Sequence, residues 1–196
     1  MLKNLEKYTL ILASGSPRRQ QFFLDLDLKF EIRLKEIDEV YPTHLKAEEI
    51  TNYLSELKAN AFDGELAKNE ILITSDTIVW HQNKALGKPK NETDAIAMLQ
   101  SMSGQTHDVI TSVTFKTDLK INTLFEITKV TFSPITDEEI AYYISKYKPL
   151  DKAGSYGIQE WIGLIAISKI EGSYTNVVGL PTEKVFNYLK NIELIS

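Results

Sequence analysis

Cysteine is absent from the 196 residues. That removes thiol nucleophiles, disulfides and thiolate-bound metals together, and it fits a reducing compartment. Histidine is scarce: His44, His81 and His107 stand far apart in turn-like or strand-like surroundings, which offers histidine catalysis little support. No nucleophile-elbow string underwrites a Ser-His-Asp triad, and no Gly-Lys-Ser or Gly-Lys-Thr closes a phosphate loop. Long apolar runs are also missing, and Met1 to Lys7 shows neither the apolar core nor the small-residue cleavage pattern of a signal peptide. No membrane partner is expected. Basic residues are outnumbered, 22 against 27 acidic ones, for a net charge of −5, and the lysines are scattered. Nucleic acid is therefore not an expected partner, whereas a small anionic ligand needs only a few local cations. Repeats, low-complexity tracts and linkers are lacking too, so residues 1–196 read as a single domain.

What remains is an ordinary globular composition, 43% hydrophobic and 25% charged. The most informative stretch runs from Leu10 to Arg19. Tyr8 to Ala13 reads as a buried strand, Ser16 as a helix N-cap and Pro17 as the first helical residue, where a missing N–H costs nothing. Phe22, Phe23 and Leu26 supply the apolar stripe of that helix. A helix start carries free N–H groups and partial positive charge, so Arg18 and Arg19 in its first turn sit unfavourably unless an anion joins them. They are either solvated surface cations or half of a phosphate site; the strand, the hydroxyl loop and the helix start favour the phosphate.

Further on, Lys29 to Leu34 alternates like a strand. Asp38 and Glu39 follow it, and they either hold a metal, pair with the arginines or form a solvated acidic loop. Ala47 to Phe62 is an amphipathic helix with Ile50, Leu54, Leu57 and Ala61 on one stripe and Lys58 beside it. Ile71 to Ile73 and Ile78 to Trp80 are strand-like, and Asp76 interrupts them. A carboxylate there is costly unless it is paired, hydrogen-bonded or bound to a cation, and its β-branched neighbours argue against a mere turn. After a turn at His81 to Lys84, Leu86 to Pro89 presents Lys88 in an extended segment. Lys88 is a phosphate-binding candidate if the fold brings it to Asp76. Asn91 to Met102 reads as a helix ended by Gly104, and His107 to Phe115 with Ile121 to Phe132 reads as a hairpin. A capping box at Thr136 to Glu139 opens a helix with Ile140, Tyr143, Ile144 and Tyr147 inward.

In Asp151 to Gln159, two glycines flank Ser155 and Tyr156, which points to positive φ or a close approach. Asp151 and Lys152 there make either a buried pair or a ligand-facing cation. Ile162 to Ile170 reads as the next strand, Tyr174 to Val178 as short and β-like, and Gly179-Leu180-Pro181 as the start of the last helix. Interleaved strands and helices with a hairpin give an α/β fold with a mixed sheet. Carboxylates, lysines, arginines and hydroxyls, without soft ligands, are the groups of metal-assisted water attack on a phosphoryl group, with Mg²⁺ or Mn²⁺ as the cation.

Leu12 to Arg19, Ser75-Asp76-Thr77, Leu86 to Pro89, Leu99 through Ser103 to His107, Asp151 to Gly154 and Tyr156 to Gln159 together resemble the Maf family. Gly172 to Tyr174 and Val178 to Pro181 fit it as well. The resemblance implies an inosine-triphosphatase-like fold with two lobes around a cleft. It also implies a cytoplasmic, homodimeric house-cleaning pyrophosphatase that uses a divalent cation to convert a nucleoside triphosphate to monophosphate and pyrophosphate. By the same resemblance Asp76 is the catalytic base close to the metal, and Asp38 matches a second acidic, metal-side position often filled by glutamate, with either Asp38 or Glu39 serving there. Ser14, Ser16, Arg18, Arg19, Asp38, Glu39, Lys58, Thr77, Lys88, Lys152 and Gln159 would hold substrate. Arg18, Thr77 and Gln159 match the positions that separate branches, and Thr77 with Gln159 resembles the dTTP/UTP branch, modified pyrimidine triphosphates included. Glu160 stands where the family usually has glycine. The alternatives are a pyrophosphatase of 7-methyl-GTP or other modified purines, or a weakly catalytic, nucleotide-binding regulator of septum formation.

Overall fold

The structure is a computed structural model, and it describes residue 2 and residues 5–192. Along the chain run β1 (Thr9–Leu12), α1 (Pro17–Asp25), β2 (Phe30–Ile32), α2 (Glu48–Asn60), β3 (Glu70–His81), β4 (Lys84–Leu86) and α3 (Glu92–Met102). There follow β5 (Thr106–Lys116), β6 (Ile121–Phe132), α4 (Asp137–Tyr147), α5 (Trp161–Ala166), β7 (Ile167–Glu171), α6 (Tyr174–Val178) and α7 (Thr182–Asn191). The strands form a sheet in the order β2-β1-β3-β5-β6-β7, with β4 paired to β3. β1 pairs in parallel with β2 and β3, while β3–β4 and β6–β7 are antiparallel. This is the mixed α/β sheet that the sequence leads one to expect. Among the described residues the chain folds as two compact units, one holding residue 2 and residues 5–76, 111–125 and 179–192, the other 77–110 and 126–178.

In the first unit, the period-two alternation of strand side chains decides the layers. Leu10, Leu12, Ile71 and Ile73 face Phe23 of α1 and Val185 and Leu189 of α7. Ile11 and Leu72 face the other way, against Ala59 and Phe62. Both faces of β1 are covered, which is why it reads as a continuous apolar run. The inner side of α2 carries hydroxyls as well as methyls. Thr51 Oγ1 lies 2.6 Å from Ser112 Oγ, and Ser55 Oγ lies 2.8 Å from Thr114 Oγ1. Thr74 Oγ1 donates to the Ser55 carbonyl at 2.7 Å. These directional bonds fix where α2 sits along the strands, and each contributes about 1 kcal/mol net. The buried side of α2 accordingly runs through Ile50, Thr51, Leu54, Ser55 and Ala59, with the anticipated Leu57 and Ala61 only half-buried.

In the second unit, Leu99 and Met102 of α3 and Ile140, Tyr143 and Ile144 of α4 pack with Val79, Val109, Val130 and Phe132. The helix starts follow their sequence signals. Asn91 Oδ1 accepts from the Asp94 N–H at 2.9 Å, and Thr136 with Glu139 forms the capping box. Gln82 and Asn83, at φ 49° and 60°, make the two-residue turn of the β3–β4 hairpin.

Three segments depart from the sequence reading. β3 passes through Asp76 without a break. Residues 162–170 are a helix and then a strand rather than one strand. Ile162 and Ala166, four apart, form the buried face of α5, and Gly163 lies so close to the Ile158 carbonyl that a Cβ would sit 1.9 Å from its oxygen. A short apolar run does not by itself distinguish helix from strand. Residues 174–178 are helical although β-branched. Ser173 Oγ accepts from the Asn176 N–H at 3.3 Å, and the buried Asn176 amide donates to the Val109 carbonyl at 3.0 Å. The cap and the buried amide outweigh local propensity.

Candidate active site

The same alternation that layers the first unit aims Asp76. Leu72, Thr74 and Asp76 share the face of β3 that meets α2. Lys58 lies in the last turn of α2, three residues beyond Ser55, whose carbonyl Thr74 holds. Its Nζ donates to Asp76 Oδ1 at 2.7 Å and lies 3.0 Å from Glu39 Oε1. Asp76 is only 6% exposed. Burial raises its pKa above the ordinary aspartate value; Lys58 and then Arg19 oppose the rise, and Glu39 adds to it. Desolvation wins, so the carboxylate is more basic than an aspartate in water.

Arg19 reaches the same place from α1. Its Nε donates to the Gly179 carbonyl at 2.8 Å and its Nη1 to the Ser75 carbonyl at 2.9 Å. Burial lowers its pKa, and Asp76 counteracts this. Arg19 thus ties the strand residue before Asp76 to the loop that leads into α7. Ser16 is the N-cap as anticipated, with Pro17 in the first turn, but its side chain makes no capping bond and no acidic residue occupies that turn. Ser14, buried, accepts from the Ser16 N–H at 3.3 Å through its Oγ and from Gln20 Nε2 at 3.0 Å through its carbonyl. Arg18, half-buried, follows Pro17. Phosphate oxygens are the groups such a helix start and its arginines favour.

The structure therefore brings Asp76, Lys58, Arg19 and Glu39 together. Asp38 is exposed, and the carboxylate that reaches Lys58 from this loop belongs to Glu39. Thr77, Lys88, Lys152 and Gln159 belong to the second unit. Lys88 is exposed, on a segment anchored where Gly87 O accepts from the Gly154 N–H at 3.1 Å. Gly154 has φ 65°, and a Cβ there would stand 2.6 Å from Val79 Cγ2, which meets both reasons for a glycine at that point. Lys152 is buried, but the Asp151 that it meets at 2.7 Å is exposed; its more sheltered partner is Glu160, with Oε1 at 3.1 Å.

The family model described as Maf-like protein matches residues 9–192. The chain belongs to the Maf family. Among its relatives, a dTTP/UTP pyrophosphatase of Flavobacterium johnsoniae is 68% identical over 193 residues, covering 98% of this chain and 100% of that protein. One of Flavobacterium psychrophilum is 65% identical over 189 residues, covering 96% of this chain and 97% of that protein. One of Christiangramia forsetii is 55% identical over 188 residues, covering 96% of each. Among solved structures, the Staphylococcus aureus Ham1 protein matches with a TM-score of 0.41 at 13% identity, covering 66% of this chain and 72% of that one.

In this Maf chain, pattern reading missed one feature. Tyr143, assigned to the core by its helical spacing, also uses its hydroxyl, which donates to Glu160 and accepts from the Gly157 N–H at 3.1 Å. Periodicity reports which face a residue occupies and says nothing about its polar tip.

Proposed function

We propose that this Maf-family chain hydrolyses dTTP and UTP to the nucleoside monophosphate and pyrophosphate. The observation that carries the proposal is the buried Asp76 carboxylate, held by Lys58 beside Arg19 and pushed toward basicity by desolvation. Relatives named dTTP/UTP pyrophosphatase at 55% to 68% identity support the substrate class. Asp76 takes a proton from water, whose oxygen bonds to the α-phosphorus. The bond from that phosphorus to the bridging oxygen breaks, and pyrophosphate leaves with the electron pair. Arg18, Ser14, Ser16 and the α1 start hold phosphate oxygens, and the resemblance gives Lys88 the same kind of ligand. Lys58 keeps Asp76 aimed and neutralises charge as it builds. Arg19 positions the Ser75–Asp76 backbone. Thr77 and Gln159 read the base; an amide offers both the donor and the acceptor that a uracil-type edge requires.

Among the described residues no group of three His, Cys, Asp or Glu side chains gathers to hold a metal. Asp76 and Glu39, both on Lys58, nevertheless provide two hard oxygen donors, which suits Mg²⁺ or Mn²⁺ when phosphates and water complete the shell. Of Asp38 and Glu39, the two candidates for the second acidic position, Glu39 is the one whose carboxylate reaches Lys58. When bound, the cation offsets phosphate charge. No helix among the described residues is long and apolar enough to cross a membrane. The family resemblance extends the proposal to a cytoplasmic homodimer.

The test is pyrophosphate release from dTTP, UTP, CTP and 7-methyl-GTP, with and without Mg²⁺. Metal-dependent turnover of dTTP and UTP ahead of the others is expected. Preference for 7-methyl-GTP would overturn the substrate assignment, and no turnover of any would overturn the enzymatic reading.

A further inference from the structure

Around Gln159 the chain is almost wholly sheltered. Gly154 to Ile158 are buried and Glu160 is half-buried, while Gln159 alone in that stretch is exposed. The turn that presents it is closed from both ends. The Glu160 N–H donates to the Gly157 carbonyl at 3.0 Å, and the Gly157 N–H donates to Tyr143 Oη at 3.1 Å. Tyr143 is fully buried on α4 and donates its own proton to Glu160 Oε2. Glu160 Oε1 lies 3.1 Å from Lys152 Nζ, which also meets Asp151 Oδ1 at 2.7 Å. Glu160 is the N-cap residue of α5, yet its side chain does not cap that helix. It turns back over Gly157, where a Cβ would stand 2.9 Å from Glu160 Cδ and 3.1 Å from Oε2. A free glutamate would swing aside from such a methyl; this one is pinned by a phenol and an ammonium. Burial, and then the bond to Glu160, raise the Tyr143 pKa, so the phenol keeps its proton as a donor at neutral pH.

We propose that Glu160, clamped between Tyr143 and Lys152, is a positioning residue that fixes the 157–160 turn and thereby sets base selectivity through Gln159. The inference rests on the reading of Gln159 as a base-reading side chain. Glu160 touches no reacting atom. Its effect is to hold an exposed amide in one orientation, so that an incorrectly matched base leaves polar groups unpaired.

The experiment uses the full chain with Tyr143→Phe, Glu160→Ala, Glu160→Gln, Gly157→Ala and the double variant Gly157→Ala/Glu160→Ala. Tyr143→Phe and Glu160→Ala should each lower kcat/KM for dTTP and UTP by about tenfold, the scale of one charge-assisted hydrogen bond. The loss should appear in KM, with kcat within about twofold, and the preference for dTTP over CTP should narrow by a similar factor. Glu160→Gln, whose carbonyl still accepts from Tyr143, should recover most of it. Gly157→Ala should be impaired alone and cost nothing further in the double variant. Equal losses for all nucleotides, or additive losses in the double variant, would overturn the proposal. Amide hydrogen exchange separates this outcome from failure of the pyrophosphatase reading. If the wild type hydrolyses nothing, Tyr143→Phe should still speed exchange at the Gly157 N–H by more than about tenfold. Unchanged exchange there removes the clamp.

Discussion

Lys58 and Lys152 each stand between two carboxylates, one sheltered and one exposed. Lys58 has Asp76 at 2.7 Å and Glu39 at 3.0 Å. Lys152 has Asp151 at 2.7 Å and Glu160 at 3.1 Å. The sheltered partners differ. Glu160 has both oxygens engaged, one by Lys152 and one by the Tyr143 hydroxyl, and it stabilises the turn it closes. Asp76 is buried more deeply, and the attraction of Lys58 and Arg19 does not repay its lost hydration, so its pKa lies above the ordinary value. With the same charges, one arrangement engages both oxygens of its sheltered carboxylate in closing a turn, and the other buries a carboxylate whose pKa desolvation raises. A carboxylate kept at a cost to stability is the better candidate for chemistry.

The largest expected effect breaks the Asp76 arrangement. Asp76→Asn should lower turnover by roughly 10²–10⁴, the usual contribution of a general base, read as pyrophosphate release at saturating dTTP. Retained turnover would remove Asp76 from the mechanism. Next, Arg18→Ala should weaken triphosphate binding by roughly 1.5–3 kcal/mol, the scale of a hydrogen bond to a charged group. Calorimetric titration with a non-hydrolysable analogue measures it, and unchanged affinity would deny the α1 start its phosphate. The Lys152 arrangement should respond in stability instead. Glu160→Ala leaves the Tyr143 hydroxyl and Lys152 short of an acceptor and should cost about 1–3 kcal/mol in urea unfolding; a neutral result would mean the network is slack.

The effect that needs no change at either lysine concerns His107 in the second unit, and per pH unit it is small. It is buried, with Nε2 2.8 Å from Tyr156 Oη. Burial, assisted by His81, lowers its pKa from 6.5 to about 3. Below pH 6.5 the unfolded chain binds a proton that the folded chain refuses, so stability falls as pH drops from 6.5 toward about 3. The slope should reach about 1.4 kcal/mol per pH unit at most. His107→Gln should flatten this part of the melting-temperature profile, and an unchanged slope would assign acid sensitivity elsewhere.

Which parts were legible in the sequence follows from what kind of signal each part left. The β1–α1 junction was readable because an apolar run, a hydroxyl and Pro17 impose backbone states directly. Asp76 was readable because a carboxylate among β-branched residues is an electrostatic anomaly. Between Asp38 and Glu39 nothing decides, since their loop has no periodicity and only its path in space delivers Glu39 to Lys58. The Tyr143–Glu160 pairing spans 17 positions and different helical elements, so no local pattern contains it. Residues 162–178 misled because their helices are short, and tertiary contacts to Ile158 and Val109 outweigh propensity there.

The most direct test of the contrast between the two lysines is the melting temperature of Asp76→Asn beside wild type at pH 7 in EDTA. A folded-state pKa raised above the unfolded value means the charged aspartate opposes folding at neutral pH, and the opposition fades as pH falls. The neutral amide should therefore melt no lower than the wild type. A fall of several degrees would show that Asp76 and Lys58 stabilise the fold as an ordinary ion pair, and it would contradict the account.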